Sequence, residues 1–189
     1  MSELKDLLAI VVDANDSRLP LDARATLMVL AAQLQACQTL IGTLEKRIMS
    51  QHKSSDVSRR LETIPGIGVV GATTIAAIVS DPKAFRSGRD FAAWIGLVPR
   101  QASTGGKQKL GHISKQGDRY LRRILVVGAH AVLRRARLHP EKYPWLTALL
   151  ARRPFKVVAV ALANKMARIA WALLAKGGTY RAPQLAAAV

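Results

Sequence analysis

The sequence predicts an almost entirely α-helical protein. Apolar residues recur at helical intervals in every apolar segment, which is the spacing of one helix face. Alternating apolar and polar runs, which are typical of half-buried strands, are nearly absent. The chain is also rich in helix formers such as Ala, Leu, Lys and Arg. With 189 residues, half of them apolar, it can bury a core in one or two domains.

A short helix and a long helix are predicted at the N-terminus. Residues 3–12 form an apolar helix that the turn-prone sequence DANDSRLP ends, and a second helix runs to about residue 50. An a/d seam of three heptads runs along the second helix. This seam could pair with another chain, with helix 3–12 or with the rest of this chain; its length and polar flanks favour a homo-oligomer through residues 27–48. The seam consists of Leu27, Leu30, Leu34, Cys37, Ile41, Leu44 and Ile48.

Four segments follow from these patterns. We expect a short N-terminal helix and turn over 1–19, a coiled-coil linker helix over 20–59, a helical domain over 60–182, and a frayed tail over 183–189. The polar stretch 51–58 predicts a break in the linker. Gly and Asp residues mark the helix ends in the domain. The expected helices there run from Val70 to Val79, from Ser87 or Arg89 to a cap at Gly96, from Gly117-Asp118 onward, and from Pro154 to Ala175 with a cap at Gly177-Gly178.

The stretch LETIPGIGVVGATTIAA over residues 61–77 predicts two helices joined by a tight turn. Pro65 ends the first helix, and Gly66 and Gly68 are expected to take positive φ so that the chain turns sharply. Ile67 would lie between the two helices. The free amides of the turn and of the following helix start would suit a phosphate oxygen. The pattern is that of a helix-hairpin-helix, although an ordinary glycine-capped helix corner would share it.

The charge distribution predicts that a polyanionic partner binds the second part of the chain. Residues 1–60 hold 8 Lys and Arg against 7 Asp and Glu, whereas residues 61–189 hold 21 against 5. Such an excess indicates DNA or another nucleic acid first and an anionic membrane second. Aromatic residues are too few to indicate a stacking platform for single strands. The apolar run from Val157 to Ala163 is too short to span a bilayer, so we expect no membrane segment.

Cysteine and histidine content argues against a metal or disulfide site. Cys37 is the single cysteine, so no internal disulfide can form. The four histidines are scattered, and we expect no metal and no cofactor in this chain. The N-terminus lacks the features of a signal peptide, so a reduced cytoplasm is the default compartment.

A glycine-rich loop after residue 97 holds the candidate nucleophiles. Ser103 and Thr104 stand beside Gly105 and Gly106, and a basic helix follows. A hydroxyl in a glycine turn among fixed cations is what phosphoryl transfer by serine requires. The alternative is a phosphate-binding loop without catalysis, and composition alone favours that alternative. The cations expected to contact phosphate are Arg100, Lys107, Lys115, Arg119, Arg122 and Arg123.

A narrow polar stripe interrupts the apolar C-terminal helix. Asn164, Lys165 and Arg168 have the spacing of one helix face. The stripe could be a solvated edge. It could also face the basic loop, where it would contact phosphate or orient the nucleophile.

Taken together, these motifs resemble the C-terminal domain of the insertion-sequence one-ten family of transposases. The resemblance rests on RLETIPGIG, on FAAWIGLVPRQASTGGKQKLGHISKQGDRYLRRILVVGA and on ALANKMARIAWALLAKG. It covers residues 60–182, and residues 20–59 resemble the coiled-coil linker of that family. These proteins are bridge-RNA-guided serine recombinases related to Piv-type DNA invertases. The resemblance implies a catalytic serine in the ASTGG loop, which we assign to Ser103, with Thr104 in reserve.

The family resemblance also implies partners and a second domain. Full members begin with a RuvC-like domain whose four acidic residues bind Mg²⁺, and the early acids of this chain lack the strand pattern of that domain. We therefore expect this chain alone to be an incomplete enzyme that needs the acidic domain in trans. DNA and a guide RNA are the implied partners, and the nucleoid of a bacterial or archaeal cell is the implied location. The alternative function is a non-catalytic helix-hairpin-helix fragment that binds nucleic acid.

Overall fold

The protein is helical, as the sequence predicts. The structure, a computed structural model, describes residues 2–101 and 110–182. Within these ranges it has eight α-helices and one antiparallel pair of short strands. The predicted tail 183–189 lies outside the described residues. The helices are α1 Ser2–Val12, α2 Leu21–Ser54, α3 Asp56–Glu62, α4 Val69–Ile78, α5 Gly88–Trp94, α6 Arg119–Leu138, α7 Pro144–Leu150 and α8 Phe155–Lys176; the strands are β1 Pro99–Gln101 and β2 Leu110–Ile113.

The first compact unit of the chain, residues 1–49, contains α1 and most of α2. Arg24 of α2 is buried, and its guanidinium donates to the carbonyl oxygen of Ile10 at 3.0 Å and to that of Asp16. These bonds satisfy carbonyls at and beyond the C-terminal end of α1, which have no partner within the helix. In the connecting turn, the hydrogen-bonded Arg18 guanidinium lowers the pKa of Asp16 to about 2.

The heptad seam lies on α2, and much of it is exposed in the single chain. Leu30, Ile41 and Leu44 are each more than half exposed, and Leu34 is 36% exposed. An unbroken apolar stripe of this kind on a 34-residue helix is available for a partner. Its pairing with another chain stays a prediction.

The predicted break in the linker is confirmed at Ser55. This residue caps α3 by accepting a hydrogen bond from the Ser58 amide, just after α2 ends. Buried His52 joins the two helices, since its Nδ1 lies 2.8 Å from Ser58 Oγ and its Nε2 lies 2.9 Å from Glu62 Oε2. The imidazole therefore satisfies a fully buried hydroxyl on the other side of the break.

The second compact unit, residues 50–189, is organised around α8. This helix packs against α3, α5, α6 and α7. Four of its eight buried residues are alanines, whose small side chains permit close packing of neighbouring helices. Those alanines are Ala159, Ala163, Ala167 and Ala170.

Two described helices, α2 and α8, are long and apolar enough to cross a membrane by length and composition. The α8 helix extends well beyond the apolar run Val157 to Ala163. Of its most apolar window, 44% is buried inside this unit. Core helices of soluble proteins meet the same criterion, so the packing of α8 accounts for its composition.

Candidate nucleic-acid interface

The turn between α3 and α4 uses one glycine with positive φ. Gly66 has φ of +88°, as predicted. The same prediction is wrong for Gly68, which has φ of −89° and ψ of −177° and is the N-cap of α4. Gly66 alone reverses the chain after Pro65, and Gly68 enters the helix from the extended conformation that an N-cap residue usually has.

The start of α4 presents free backbone donors. No described residue accepts a hydrogen bond from the amides of Gly68, Val69 or Val70, and Gly68 has no side chain to cap them. Gly68 and Val70 are exposed. Free amides at the positive end of a helix dipole form a site for an anion.

The inner side of the same turn is fixed against the core. Ile67 is 3% exposed, as its predicted place between the helices requires. Gly66 meets Gly128 of α6 so closely that a Cβ on Gly128 would lie 2.0 Å from the Gly66 carbonyl oxygen. The turn is therefore packed against the core at Gly66 and Ile67, whereas Gly68 and Val70 are exposed.

The glycine-rich loop rises from a two-stranded ribbon that the sequence analysis did not predict. β1 and β2 pair antiparallel, with Pro99 opposite Ile113 and Gln101 opposite Leu110. The candidate nucleophile Ser103, its reserve and three further candidates lie outside the described residues. These five are Ser103, Thr104, Gly105, Gly106 and Lys107.

Two glycines lock the base of this loop. Gly96 has φ of +81°, and a Cβ there would lie 2.0 Å from the Gln116 carbonyl oxygen. Gly117 has φ of +79°, and its Cβ would lie 1.7 Å from the Trp94 carbonyl oxygen. The two ends of the loop are thus in direct backbone contact. The Lys115 amide strengthens that contact by donating to the Gly96 carbonyl at 3.1 Å.

Arg122 and Asn164 also hold the base of the loop. The Arg122 guanidinium donates to the Ile95 carbonyl at 2.8 Å and to the Gln116 carbonyl at 3.0 Å, so it bridges the two ends. Asn164 Nδ2 donates to the Leu97 carbonyl at 3.2 Å. Both side chains were predicted to contact phosphate, and that contact stays a prediction; in the structure, Arg122 Nη1 and Asn164 Nδ2 each donate to backbone carbonyls beside the loop.

The remaining predicted cations divide into two groups. Arg100, Lys115, Arg119 and Arg123 are exposed on the ribbon, on the loop base or on the first turns of α6. The polar stripe on α8 diverges: Lys165 Nζ lies 4.3 Å from the centre of the Trp145 ring, and Arg168 packs its backbone against Gly88. Within the described residues, Asn164 is the member of that stripe with a hydrogen bond to the base of the loop.

Replacement of Arg122 by Met tests its positioning role. We expect a loss of about 2 kcal/mol in the free energy of unfolding, because two carbonyls lose a charged donor. Hydrogen exchange should become faster at the Lys115 amide. The matched control is Arg123→Met, which changes an exposed neighbour and should alter stability by less than about 0.5 kcal/mol. Equal stability of the two variants in urea unfolding would contradict the positioning role.

The charge around these elements is almost entirely of one sign. Residues 119–182 contain 14 Lys and Arg but a single acidic residue, Glu141. That carboxylate lies 3.6 Å from His139 Nδ1. A rigid helical domain with this charge, free helix-start amides and a basic loop defines a domain suited to bind a polyanion.

Comparison with known proteins identifies the domain. Residues 58–144 match the family described as "Transposase IS116/IS110/IS902 family". A probable family 20 transposase of Pseudomonas aeruginosa is 47% identical over 176 residues, which are 93% of this chain and 52% of that protein. The transposase for insertion sequence element IS1111A of Coxiella burnetii is 43% identical over 142 residues, which are 75% of this chain and 39% of that protein.

A third relative matches over the same part of the chain. The putative transposase y4pF/y4sB of Sinorhizobium fredii is 50% identical over 148 residues, which are 77% of this chain and 38% of that protein. This chain therefore carries a domain of the IS116/IS110/IS902 transposase family. It spans about half or less of the length of the relatives it matches.

Proposed function

We propose that this chain is the DNA-binding part of a cytoplasmic, nucleoid-associated transposase that acts in DNA recombination. The observation that carries the proposal is the family match over residues 58–144, which contain both the α3–α4 turn and the glycine-rich loop. The relatives are named transposases, and moving an insertion sequence requires contact with duplex DNA.

The α3–α4 turn is proposed to act as a helix-hairpin-helix. Its free amides at Gly68, Val69 and Val70 would bind backbone phosphate oxygens, and no base edge is needed for such a contact. The exposed cations of the ribbon and of α6 would add phosphate contacts nearby. Binding of this kind is strong and has little sequence preference.

Ser103 is proposed to be the nucleophile. Its Oγ would attack a DNA phosphorus, forming a phosphoserine bond while the bond to one deoxyribose oxygen breaks and that oxygen takes a proton. The linkage preserves the energy of the phosphodiester, so the reverse attack by a new DNA hydroxyl rejoins the strand without an external energy source. Lys and Arg side chains would stabilise the charge on the non-bridging oxygens.

The proposal includes an acidic RuvC-like domain supplied in trans, together with a guide RNA. That domain would hold Mg²⁺, which helps to activate the attacking hydroxyl. The described ranges of this chain contain no group of three or more His, Cys, Asp or Glu side chains able to hold a metal ion.

Binding of a short paired DNA duplex should depend steeply on salt. Release of counterions from many phosphate contacts predicts a loss of about a thousandfold or more in affinity between about 50 and 200 mM salt. Fluorescence anisotropy with a labelled duplex measures this loss. An affinity that is flat over that range would show that the backbone contacts are absent.

One substitution tests the contribution of the turn amides to DNA binding separately from that of the general positive charge. Val69→Pro removes a single free amide at the first position of α4, where the fixed φ of Pro suits a helix. The loss of one hydrogen bond to a charged phosphate should weaken duplex binding roughly tenfold while the fold is kept. Val69→Ala keeps the amide and is the matched control.

The α2 seam is proposed to form a coiled coil between chains. Three heptads are marginal alone, so contacts elsewhere must add to the association. The double variant Leu34→Glu and Ile41→Glu places charges on two exposed seam positions and should sediment as a monomer in analytical ultracentrifugation. A wild-type chain that is already monomeric at high concentration would rule this association out.

A further inference from the structure

An apolar cavity opens beside the α3–α4 turn. Its volume is about 470 Å³, which lies within the range of small-molecule sites. Ile64 and Pro65 of the turn form one wall, and residues of α6, α7, α8 and the segment after α8 form the rest. The cavity therefore adjoins the part of the surface that the proposed function assigns to DNA.

The cavity wall concentrates aromatic residues that are scarce elsewhere. Tyr143, Trp145 and Tyr180 line it, and they are three of the nine aromatic residues in the chain. Trp145 is 44% exposed although it stands beside a core residue, Leu146, that is 4% exposed. A large half-exposed indole next to an apolar cavity offers a stacking surface.

Among the described residues, all formal charges on the wall are positive. Lys142 and Lys165 line the cavity, and no carboxylate from the ranges 2–101 and 110–182 does. Lys165 holds its ammonium group over the Trp145 ring at 4.3 Å. An apolar, aromatic cavity with lysines complements a ligand that has a flat apolar ring and an attached anion.

We propose that this cavity binds an unpaired nucleobase of a DNA strand whose phosphates lie on the α3–α4 turn. The base would stack on Trp145, and its flanking phosphate would pair with Lys165 or Lys142. This inference rests on the proposed DNA binding and goes beyond it, because backbone contacts alone do not require an unpaired base.

Charge complementarity favours this occupant over an apolar protein segment. An apolar peptide side chain would fill the apolar walls but would supply no anion to either lysine. A nucleotide satisfies the stacking surface and the cations together. Pro65, which lines the cavity, lies three residues before Gly68, whose amide suits phosphate, so one strand would use both features.

The test compares three labelled duplexes of the same sequence with the full chain. One is fully paired, one carries a single bulged adenine, and one carries a bulged abasic site that bends the duplex without supplying a base. Fluorescence anisotropy gives the affinity for each. We expect the adenine bulge to bind roughly tenfold more tightly than either of the other two, because one base stacks.

Variants then test whether the cavity residues cause the preference for the adenine bulge. Trp145→Leu keeps apolar volume and should abolish the preference while leaving the affinity for the paired duplex nearly unchanged. Trp94→Leu is the matched control, since Trp94 is similarly exposed, at 40%, and lies outside the cavity. Lys165→Met should reduce the preference by several-fold, and Lys176→Met on the same helix should not. The lysine pair keeps the test decisive if Trp145→Leu fails to fold.

Three outcomes overturn the inference. These are equal affinity for all three duplexes, a preference that survives both Trp145→Leu and Lys165→Met, and a preference that appears only after residues 183–189 are removed. The last outcome would make the chain's own C-terminal segment the occupant. Failure of the proposed function is distinct, because then the paired duplex itself does not bind.

Discussion

Gly117→Ala should lower the free energy of unfolding by about 3 kcal/mol or more. The residue has φ of +79°, and an added Cβ would lie 1.7 Å from the Trp94 carbonyl oxygen. A positive φ strains any residue with a Cβ, by about 1 kcal/mol or more. The steric conflict adds a second cost, because backbone atoms at the loop base must separate before the methyl group fits.

Substitutions at two other glycines distinguish the cost of backbone strain from the cost of the steric conflict. Gly178 also has a positive φ, +83°, but no atom of the described residues lies within 4 Å of its Cβ position, so Gly178→Ala should cost about 1 kcal/mol. Gly111 has no positive φ, and its nearest contact in the described part of the chain would be 3.6 Å, so Gly111→Ala should change stability by less than about 0.5 kcal/mol.

Urea unfolding of the three variants measures the contrast. If Gly117→Ala costs no more than Gly178→Ala, the two ends of the loop are not in contact as described. In that case the loop base would not be a rigid support for the residues between β1 and β2.

Most helices could be predicted because their signals are local. The start of α6 follows from Asp118, whose carboxylate accepts a hydrogen bond from the Leu121 amide at 2.6 Å. The end of α8 follows from Gly177, which has φ of +78°. Apolar periodicity then predicts the helix between such ends. Each of these features depends on residues within a few positions of one another.

The strands and the loop base could not be predicted in the same way. β1 has three residues and β2 has four, which is too short for an alternating pattern to stand out. Their pairing depends on contacts between residues far apart in sequence, such as Gly96 with Gln116 and Arg122 with Ile95. Short turn signals give no information on these contacts.

The predicted phosphate contacts show the same limit. The spacing of Arg119, Arg122 and Arg123 correctly indicates one region of α6, but it cannot show which guanidinium finds a carbonyl nearby. Asn164 is similar, because its partner at Leu97 is 67 positions away. The low aromatic content likewise gave no indication that Tyr143, Trp145 and Tyr180 line one cavity. Composition averages over the surface, whereas a site depends on a few residues that meet.

Ser103→Ala should abolish covalent attachment of DNA to this protein. In the proposed reaction the serine oxygen forms the only bond between protein and DNA, so its removal leaves no nucleophile at that position. DNA binding should remain within about twofold of wild type, since one hydroxyl contributes little beside many cations. The expected separation of binding from attachment is therefore large.

The measurement uses the affinity-tagged full chain expressed in its own host, which would supply the proposed partner domain, guide RNA and DNA target. Cells are lysed in denaturant, the tagged protein is captured, and the DNA that remains attached is counted by sequencing. Wild type and the matched control Ser114→Ala should retain DNA, whereas the DNA retained by Ser103→Ala should fall to the level of an untagged strain.

Attachment that survives Ser103→Ala but not Thr104→Ala would assign the nucleophile to Thr104. Attachment that survives both changes, or is absent from wild type, would end the serine mechanism for this chain. Neither result would affect the proposed salt-dependent binding of paired duplex, because that proposal rests on the turn amides and exposed cations.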